Sequence, residues 1–311
     1  MTTLVLGGTG FIGKRAVPRL VQRGEKVVVM DINPGAADFS EFGSQVEVIR
    51  GDIMQFQDVV TAIMHSTTDR LMHFAYLLGS GDDTPHVTMK LNILGMDNSF
   101  EAARICGVKR VTYASSIAVS GQQSNFGDMA INEDAPMHGS NQYAMHKRFN
   151  EFQAQQFNQV YGMSITGIRP ANVTGPDKVR GSTDHVQVVT LPAAGEAVKF
   201  PKAGLMRCPV HVDDIAEAFV RVTMVDKSAH PIYNSGGYPI SLGDLANIVK
   251  KYLPNAEINF DSPDGKEESG NYLVDNNRLL GEFELEYPPI EQRILQIIND
   301  VRHDEGLPLV G

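Results

Sequence analysis

Seven residues close to the N-terminus, Gly7-Gly8-Thr9-Gly10-Phe11-Ile12-Gly13, separate an apolar run over 3–6 from a helix-like stretch over 13–23. Glycines at 7, 10 and 13 each have a mechanical use. The first permits a tight turn, the second lets backbone approach a pyrophosphate, and the third lets helix and strand pack closely. A helix starting at such a turn presents free N–H groups and a positive partial charge to phosphate. The second strand, expected over 26–30, is followed by Asp31, 18 residues after Gly13. A carboxylate there accepts from both ribose hydroxyls of an adenosine and repels a 2′-phosphate. The expected cofactor is therefore NAD, with NADP disfavoured. Lys14 and Arg15 read as solvated residues of the first helical turn. Asp52, in Gly51-Asp52-Ile53 after the third strand, is placed to reach an adenine amino group or to cap a turn.

Short apolar runs continue to alternate with helical stretches. Strands are expected over 46–50, 70–75, 110–115 and 164–168, and helices over 56–65, 87–106 and 142–161. Such alternation needs crossover connections, hence an α/β, doubly wound parallel sheet with helices on both faces. Residues 172–210 are rich in Gly, Pro and polar side chains and show few clear strands. Beyond them, Asp214 and Glu217 suggest a capping-box start, 232–234 one more strand, Ser241 the cap of a helix to 251, and 290–301 a last amphipathic helix. The tail after Gly306 reads as loose. The expected division is a cofactor domain of residues 1–171 and 211–236, and a smaller, discontinuous C-terminal substrate region of 172–210 and 237–311.

Composition removes several function classes. The 311 residues carry a formal charge of -10, which disfavours nucleic-acid or membrane-surface partners, since both need clustered Lys and Arg. Cys106 and Cys208 stand far apart without a ligand cluster, so neither a disulfide framework nor a metal site is expected, and a cytoplasmic location is the plain reading. The glycine turn begins too early to leave room for a signal peptide, and no apolar run approaches the roughly 20 residues of a membrane span.

Tyr143 and Lys147 lie four residues apart, on one face of the long helix. A phenol is a poor base at neutral pH, but a neighbouring ammonium favours its phenolate, the direction catalysis needs. Ser115-Ser116 ends the preceding strand, so a hydroxyl can meet the phenol at the sheet's carboxyl edge.

With these motifs in this order, the chain resembles an extended short-chain dehydrogenase/reductase of the NAD-dependent epimerase/dehydratase type. The resemblance also rests on Asn92-Ile93-Leu94-Gly95, Ala114 to Gly121, Glu133-Asp134-Ala135-Pro136, Arg169-Pro170-Ala171-Asn172-Val173, Val210 to Asp214 and Ile232 to Gly236. It implies a Rossmann-type fold and three catalytic roles. Ser116 would hydrogen-bond the reacting oxygen, Tyr143 would act as acid/base, and Lys147 would bind the nicotinamide ribose and bias Tyr143 toward phenolate. Phe11, Ile12, Ile53, Ala75, Asn92, Pro170, Asn172 and Val173 would line the cofactor cleft. Ser116, Asn172 and Arg207 would face a small-molecule substrate. His211, Asp213 and Asp214 are expected to be structural. Relatives pair through the two long helices, which implies a homodimer with Phe149, Phe152 and Phe157 as candidate contacts.

Departures from the family pattern narrow the activity. Glu267 and Glu268 precede Asp275 where sugar-nucleotide enzymes commonly carry an Arg, and no acid accompanies Ser115-Ser116, which disfavours dehydration. The expected activity is NAD-dependent hydride transfer on a secondary alcohol or ketone of a small polar or sugar-like substrate. A sugar or nucleotide-sugar epimerase with transient oxidation is the alternative, and a non-catalytic dinucleotide sensor comes third.

Overall fold

The computed structural model describes residues 1–79, 84–262 and 267–311, with only the backbone placed at 267–268. The strands run β1 (Thr2–Leu6), β2 (Lys26–Asp31), β3 (Val46–Arg50), β4 (Arg70–His73), β5 (Arg110–Ala114), β6 (Ile165–Arg169), β7 (Asn172–Thr174), β8 (Val198–Lys202), β9 (Leu205–Arg207), β10 (Pro209–His211), β11 (Ile232–Asn234), β12 (Ile240–Ser241), β13 (Ile258–Ser262) and β14 (Glu267–Glu268). The helices are α1 (Gly13–Gln22), α2 (Phe56–Ser66), α3 (Pro85–Met89), α4 (Met96–Ile105), α5 (Gln142–Tyr161), α6 (Asp184–Ala193), α7 (Val212–Met224), α8 (Leu242–Tyr252), α9 (Asn277–Glu282) and α10 (Ile290–Asp304).

Seven parallel strands form the main sheet in the order β11-β6-β5-β4-β1-β2-β3. The strands read as unbroken apolar runs because both faces are covered. Along β1, Leu4 and Leu6 join Met30, Leu71 and Phe100 under α2, α4 and α5, while Val5 points the other way. On that second face α7 lies against α1 and covers Val27, Val29 and Met72 with Ile215, Phe219 and Val222. The strand order reverses between β1 and β4, the switch point where ligands bind in open α/β sheets.

Local chemistry sets the ends of the elements. Asn141 caps α5 by accepting from the Ala144 N–H at 2.8 Å, and Gly162, at φ +66°, ends it. Ser241 caps α8 as expected, accepting from the Asp244 N–H at 3.0 Å. The helix expected over 87–106 is divided: a π-helical segment, Lys90–Gly95, joins α3 to α4.

The stretch from 172 to 210 is more ordered than its composition suggests. It contains β7 to β10 and α6, and a third apolar cluster joins Val188, Phe200, Leu245, Ile258, Ile294 and Ile297 across α6, β8, α8, β13 and α10. Two local expectations need correction. α7 starts at Val212 rather than at a box of Asp214 and Glu217; His211 is its cap, with Nδ1 accepting from the Asp213 N–H at 3.2 Å. Asp214 instead pairs with Arg293 of α10, and Asp213 with Arg19 of α1. The tail is docked: the Asn299 amide exchanges two 2.9 Å bonds with Val310, and Gly311 packs on Leu295. Among the described residues, no helix is long and apolar enough to cross a membrane.

Candidate active site

The glycine turn sits at the switch point. Gly7 has φ +75°, and a Cβ there would lie 2.5 Å from the Ala75 nitrogen at the end of β4. A Cβ on Gly13 would lie 2.6 Å from the Gly7 oxygen, so both positions demand glycine. The N–H groups of Phe11, Ile12 and Gly13 donate to no acceptor among the described residues. Unpaired donors converging on a backbone cradle that admits no Cβ are what a pyrophosphate requires, and the residues present fit NAD on that ground.

Asp31 closes β2 beside the turn. Its carboxylate accepts from the Thr9 N–H at 3.3 Å and from the Asn33 N–H at 3.0 Å. Asp52 accepts from the Met54 N–H at 2.9 Å, the turn-capping bond that sequence left as one option. Ile53 is buried, with its carbonyl accepting from the Asn98 amide at 2.9 Å and its side chain under Gly95. Asn92, in the π-helical segment, pins the loop after β4 by accepting from the Leu77 N–H at 2.9 Å and donating to the Leu77 carbonyl at 2.8 Å. Lys14 and Arg15 are not free solvated cations. Both pair with Asp177, in the loop after β7, and the Arg15 contact is 2.5 Å.

Ser116, Tyr143 and Lys147 come from the end of β5 and the first two turns of α5. Ser116 caps the turn that follows it, its Oγ accepting from the Ala118 N–H at 3.2 Å. Burial pushes the Tyr143 phenol above its ordinary value, and the Ser116 hydroxyl offsets part of that rise. Lys147 is buried and donates to the Ala114 carbonyl at 2.6 Å. Burial holds its ammonium well below the ordinary value, and Glu151 opposes that shift. The ammonium lies 5.7 Å from the Tyr143 ring centroid but only 3.2 Å from that of Tyr76. Desolvation is the dominant influence on Tyr143 in this arrangement. A cavity of about 340 Å³ opens beside the phenol, lined among others by Leu77, Leu78, Asn92, Gln142, Tyr143 and His146. Its described lining holds no Lys, Arg, Asp or Glu.

On the opposite side, Asn172 opens β7 and ties it to β10, accepting from the Cys208 N–H at 2.8 Å. The Pro170 carbonyl accepts from the Ile117 N–H at 3.1 Å, and that of Val173 from Lys178 Nζ at 2.7 Å. Arg207 is buried and held by Asp184 through two nitrogens, with Nη1 donating to the Ser269 carbonyl at 3.1 Å.

Sequence reasoning missed three participants. Tyr76 meets Tyr143 edge-on, with ring centroids 5.6 Å apart at 89°. Glu151 is buried against Arg169 and accepts from the Ser115 hydroxyl. His73, buried at the end of β4, has no partner for either ring nitrogen among the described residues, and burial with the nearby Lys147 charge pushes it down to about 3. The spacing of Lys147 and Glu151, one helical turn, was the only signal for any of these.

Comparison with known proteins places this geometry in context. The family model of the NAD dependent epimerase/dehydratase family matches residues 3–236. A UDP-glucose 4-epimerase of Mycolicibacterium smegmatis is 31% identical over 232 residues, covering 71% of this chain and 72% of that protein. The crystal structure of a Thermus thermophilus UDP-glucose 4-epimerase in complex with NAD superposes with a TM-score of 0.82 at 24% identity, covering 97% of this chain and 99% of that one. A GalE-like L-threonine dehydrogenase from Cupriavidus necator superposes with a TM-score of 0.84 at 17% identity, covering 97% and 100%.

Proposed function

The chain belongs to the NAD dependent epimerase/dehydratase family, whose members are NAD-dependent enzymes, and from that premise we propose that it epimerises a secondary alcohol of a sugar or nucleotide sugar through transient oxidation. The observation that carries this is the convergence of Ser116, Tyr143 and Lys147 at the carboxyl end of β5, two sheet positions from the glycine cradle, with Tyr143 lining the cavity. Bound NAD supplies the hydride acceptor and, on return, its donor.

Ser116 donates to the substrate oxygen and fixes it against the phenol. Tyr143 takes the hydroxyl proton as the alcohol becomes a ketone and restores it when the alcohol re-forms. Lys147 would hold the nicotinamide ribose and, with the cofactor seated, would carry the positive charge that eases proton loss from Tyr143. Gly7, Gly10, Phe11, Ile12 and Gly13 would hold the pyrophosphate and Asp31 the adenosine ribose. Asn92 acts by shaping the loop at Leu77. Residues 172–210 and 237–311 would form the substrate region, with Asn172 and Arg207 as its candidate contacts. The 31% identity to a UDP-glucose 4-epimerase over most of both chains supports epimerisation.

One observation favours a second reading, net dehydrogenation of a small polar or sugar-like substrate. The Arg207 guanidinium is buried and neutralised by Asp184, so a diphosphate would have to displace that half-buried carboxylate to use it. One assay separates the two. Purified protein offered UDP-glucose should form UDP-galactose with no net NADH at 340 nm. Steady NADH accumulation with a small alcohol, and no epimer, would replace the first reading with the second.

We further propose a cytoplasmic homodimer paired through α4 and α5. Phe149 and Phe152 of α5 are 44% and 59% exposed, whereas Phe157 packs beside Phe100 in the chain's own core. Sedimentation velocity tests this, and a monomer at micromolar concentration would overturn it.

A further inference from the structure

The Lys147 ammonium has few companions for a buried charge. One N–H goes to the Ala114 carbonyl. Glu151, one turn along α5, is occupied by Arg169 of β6 through two nitrogens and by the Ser115 hydroxyl. The other groups facing the ammonium are His73 at the end of β4, His146 on α5, the Tyr143 phenol and the ring of Tyr76. His73 is pushed down far enough to be neutral. The Tyr76 face lies 3.2 Å from Nζ to its centroid, closer than the Tyr143 ring at 5.7 Å, and it meets Tyr143 edge-on. Its hydroxyl is buried beside the Asn150 amide, away from the ammonium's contact with the ring face.

We propose that Tyr76 is a positioning residue for the Tyr143–Lys147 pair, its ring face holding the Lys147 ammonium in place by a cation–π contact while its ring packs edge-on against Tyr143. The inference rests on the acid/base reading given above. The negative face of an aromatic ring favours a cation, and does so most strongly away from water. A leucine in its place would fill volume and leave the charge bare. Weakening the ring's field lowers the affinity of Nζ for its proton. A less charged Lys147 in turn favours the phenolate less, so the apparent pKa of Tyr143 rises.

The test is a series of full-length proteins carrying Phe, 3,5-difluorophenylalanine or 3,4,5-trifluorophenylalanine at position 76, which nearly conserve shape while draining the ring face of negative charge. Lysine labelled with ¹³C at Cε is titrated by NMR without added cofactor, and catalytic turnover is profiled against pH. Tyr76→Phe keeps the ring face and is the reference for the series, and it should retain the ring-current shift at Lys147. The Lys147 pKa should then fall with each fluorination, by about one unit in total, a roughly tenfold change in proton affinity. The rising limb of the rate profile should move up in step. A Lys147 pKa independent of fluorine content, or a Cε signal without ring-current shift, overturns the proposal even if Tyr143→Phe is inactive. If Tyr143→Phe keeps full turnover, the acid/base reading falls on its own. A Lys147 pKa that still follows the fluorines then leaves the contact real but overturns its role in positioning a catalytic pair.

Discussion

Replacing Glu151 by Gln leaves the Arg169 guanidinium buried with a neutral partner. Arg169 and Glu151 are 1% and 2% exposed, and the guanidinium meets the carboxylate through Nε at 2.8 Å and Nη2 at 2.7 Å. Removing one member of such a pair costs about 3–5 kcal/mol, because the remaining charge stays out of water without compensation. Unfolding entropy of roughly 2.1 cal/mol/K per residue gives about 650 cal/mol/K for a chain of this length. The melting temperature should therefore fall by about 5–8 °C at pH 7, read by calorimetry. Glu151→Met with Arg169→Met removes both charges, and apolar replacements of a buried pair are often neutral or better. In the double variant the Ser115 hydroxyl loses its acceptor, so that variant should remain about 1 kcal/mol below the wild type and well above Glu151→Gln. If the double variant is destabilised by the sum of the two single changes, the pair is not acting as a unit and the reasoning fails.

Gly7→Ala should prevent stable folding or abolish NAD binding, since its Cβ would press on the Ala75 backbone. Gly24→Ala, at φ +80° with nothing within 4 Å, should cost only about 1–2 kcal/mol of backbone strain; denaturant titration compares them, and equal losses would contradict the close-approach argument. Asp31→Ala should weaken NAD by about tenfold and narrow its advantage over NADP, by calorimetric titration; tighter NADP than NAD binding by the wild type would reverse the cofactor assignment. Buried neutral imidazoles set an acid limit. His73 and His185 are held at about 3 and about 4, below the 6.5 of an unfolded His. The unfolded chain thus binds more protons across that window, and stability is lost as pH falls from about 6.5 toward 4. His73→Leu should flatten that slope by up to about 1.4 kcal/mol per pH unit, and an unchanged slope would exclude His73 as a contributor.

The sheet was legible from sequence because each strand is a buried apolar run followed by an amphipathic helix, a local pattern. The parallel, doubly wound class followed from that alternation, and motif order singled out Ser116, Tyr143 and Lys147. What escaped was settled by partners distant in the chain. Lys14 and Arg15 read as solvated because Asp177 lies some 160 residues away. Arg207 read as available because Asp184 is on a helix that the polar composition of 172–210 concealed. Tyr76 follows β4 in a stretch without periodicity, so nothing local announced its place over Lys147. The π-helical turn at Lys90–Gly95 preserves the apolar periodicity on either side and leaves no mark in residue spacing.

The position of α7 bears on how the chain is made. β1, β2 and β4 leave the ribosome early, yet the helix that covers one face of them spans Val212–Met224, and the edge strand beside β6 is Ile232–Asn234. Synthesis at roughly 5–20 residues per second puts a delay of several seconds between the end of β6 and the arrival of α7. During that interval Val27, Val29 and Met72 face water or a chaperone beside α1. Stalling translation between 170 and 210 should therefore yield a protease-sensitive, aggregation-prone nascent chain, and release past residue 234 should let the nucleotide-binding half close.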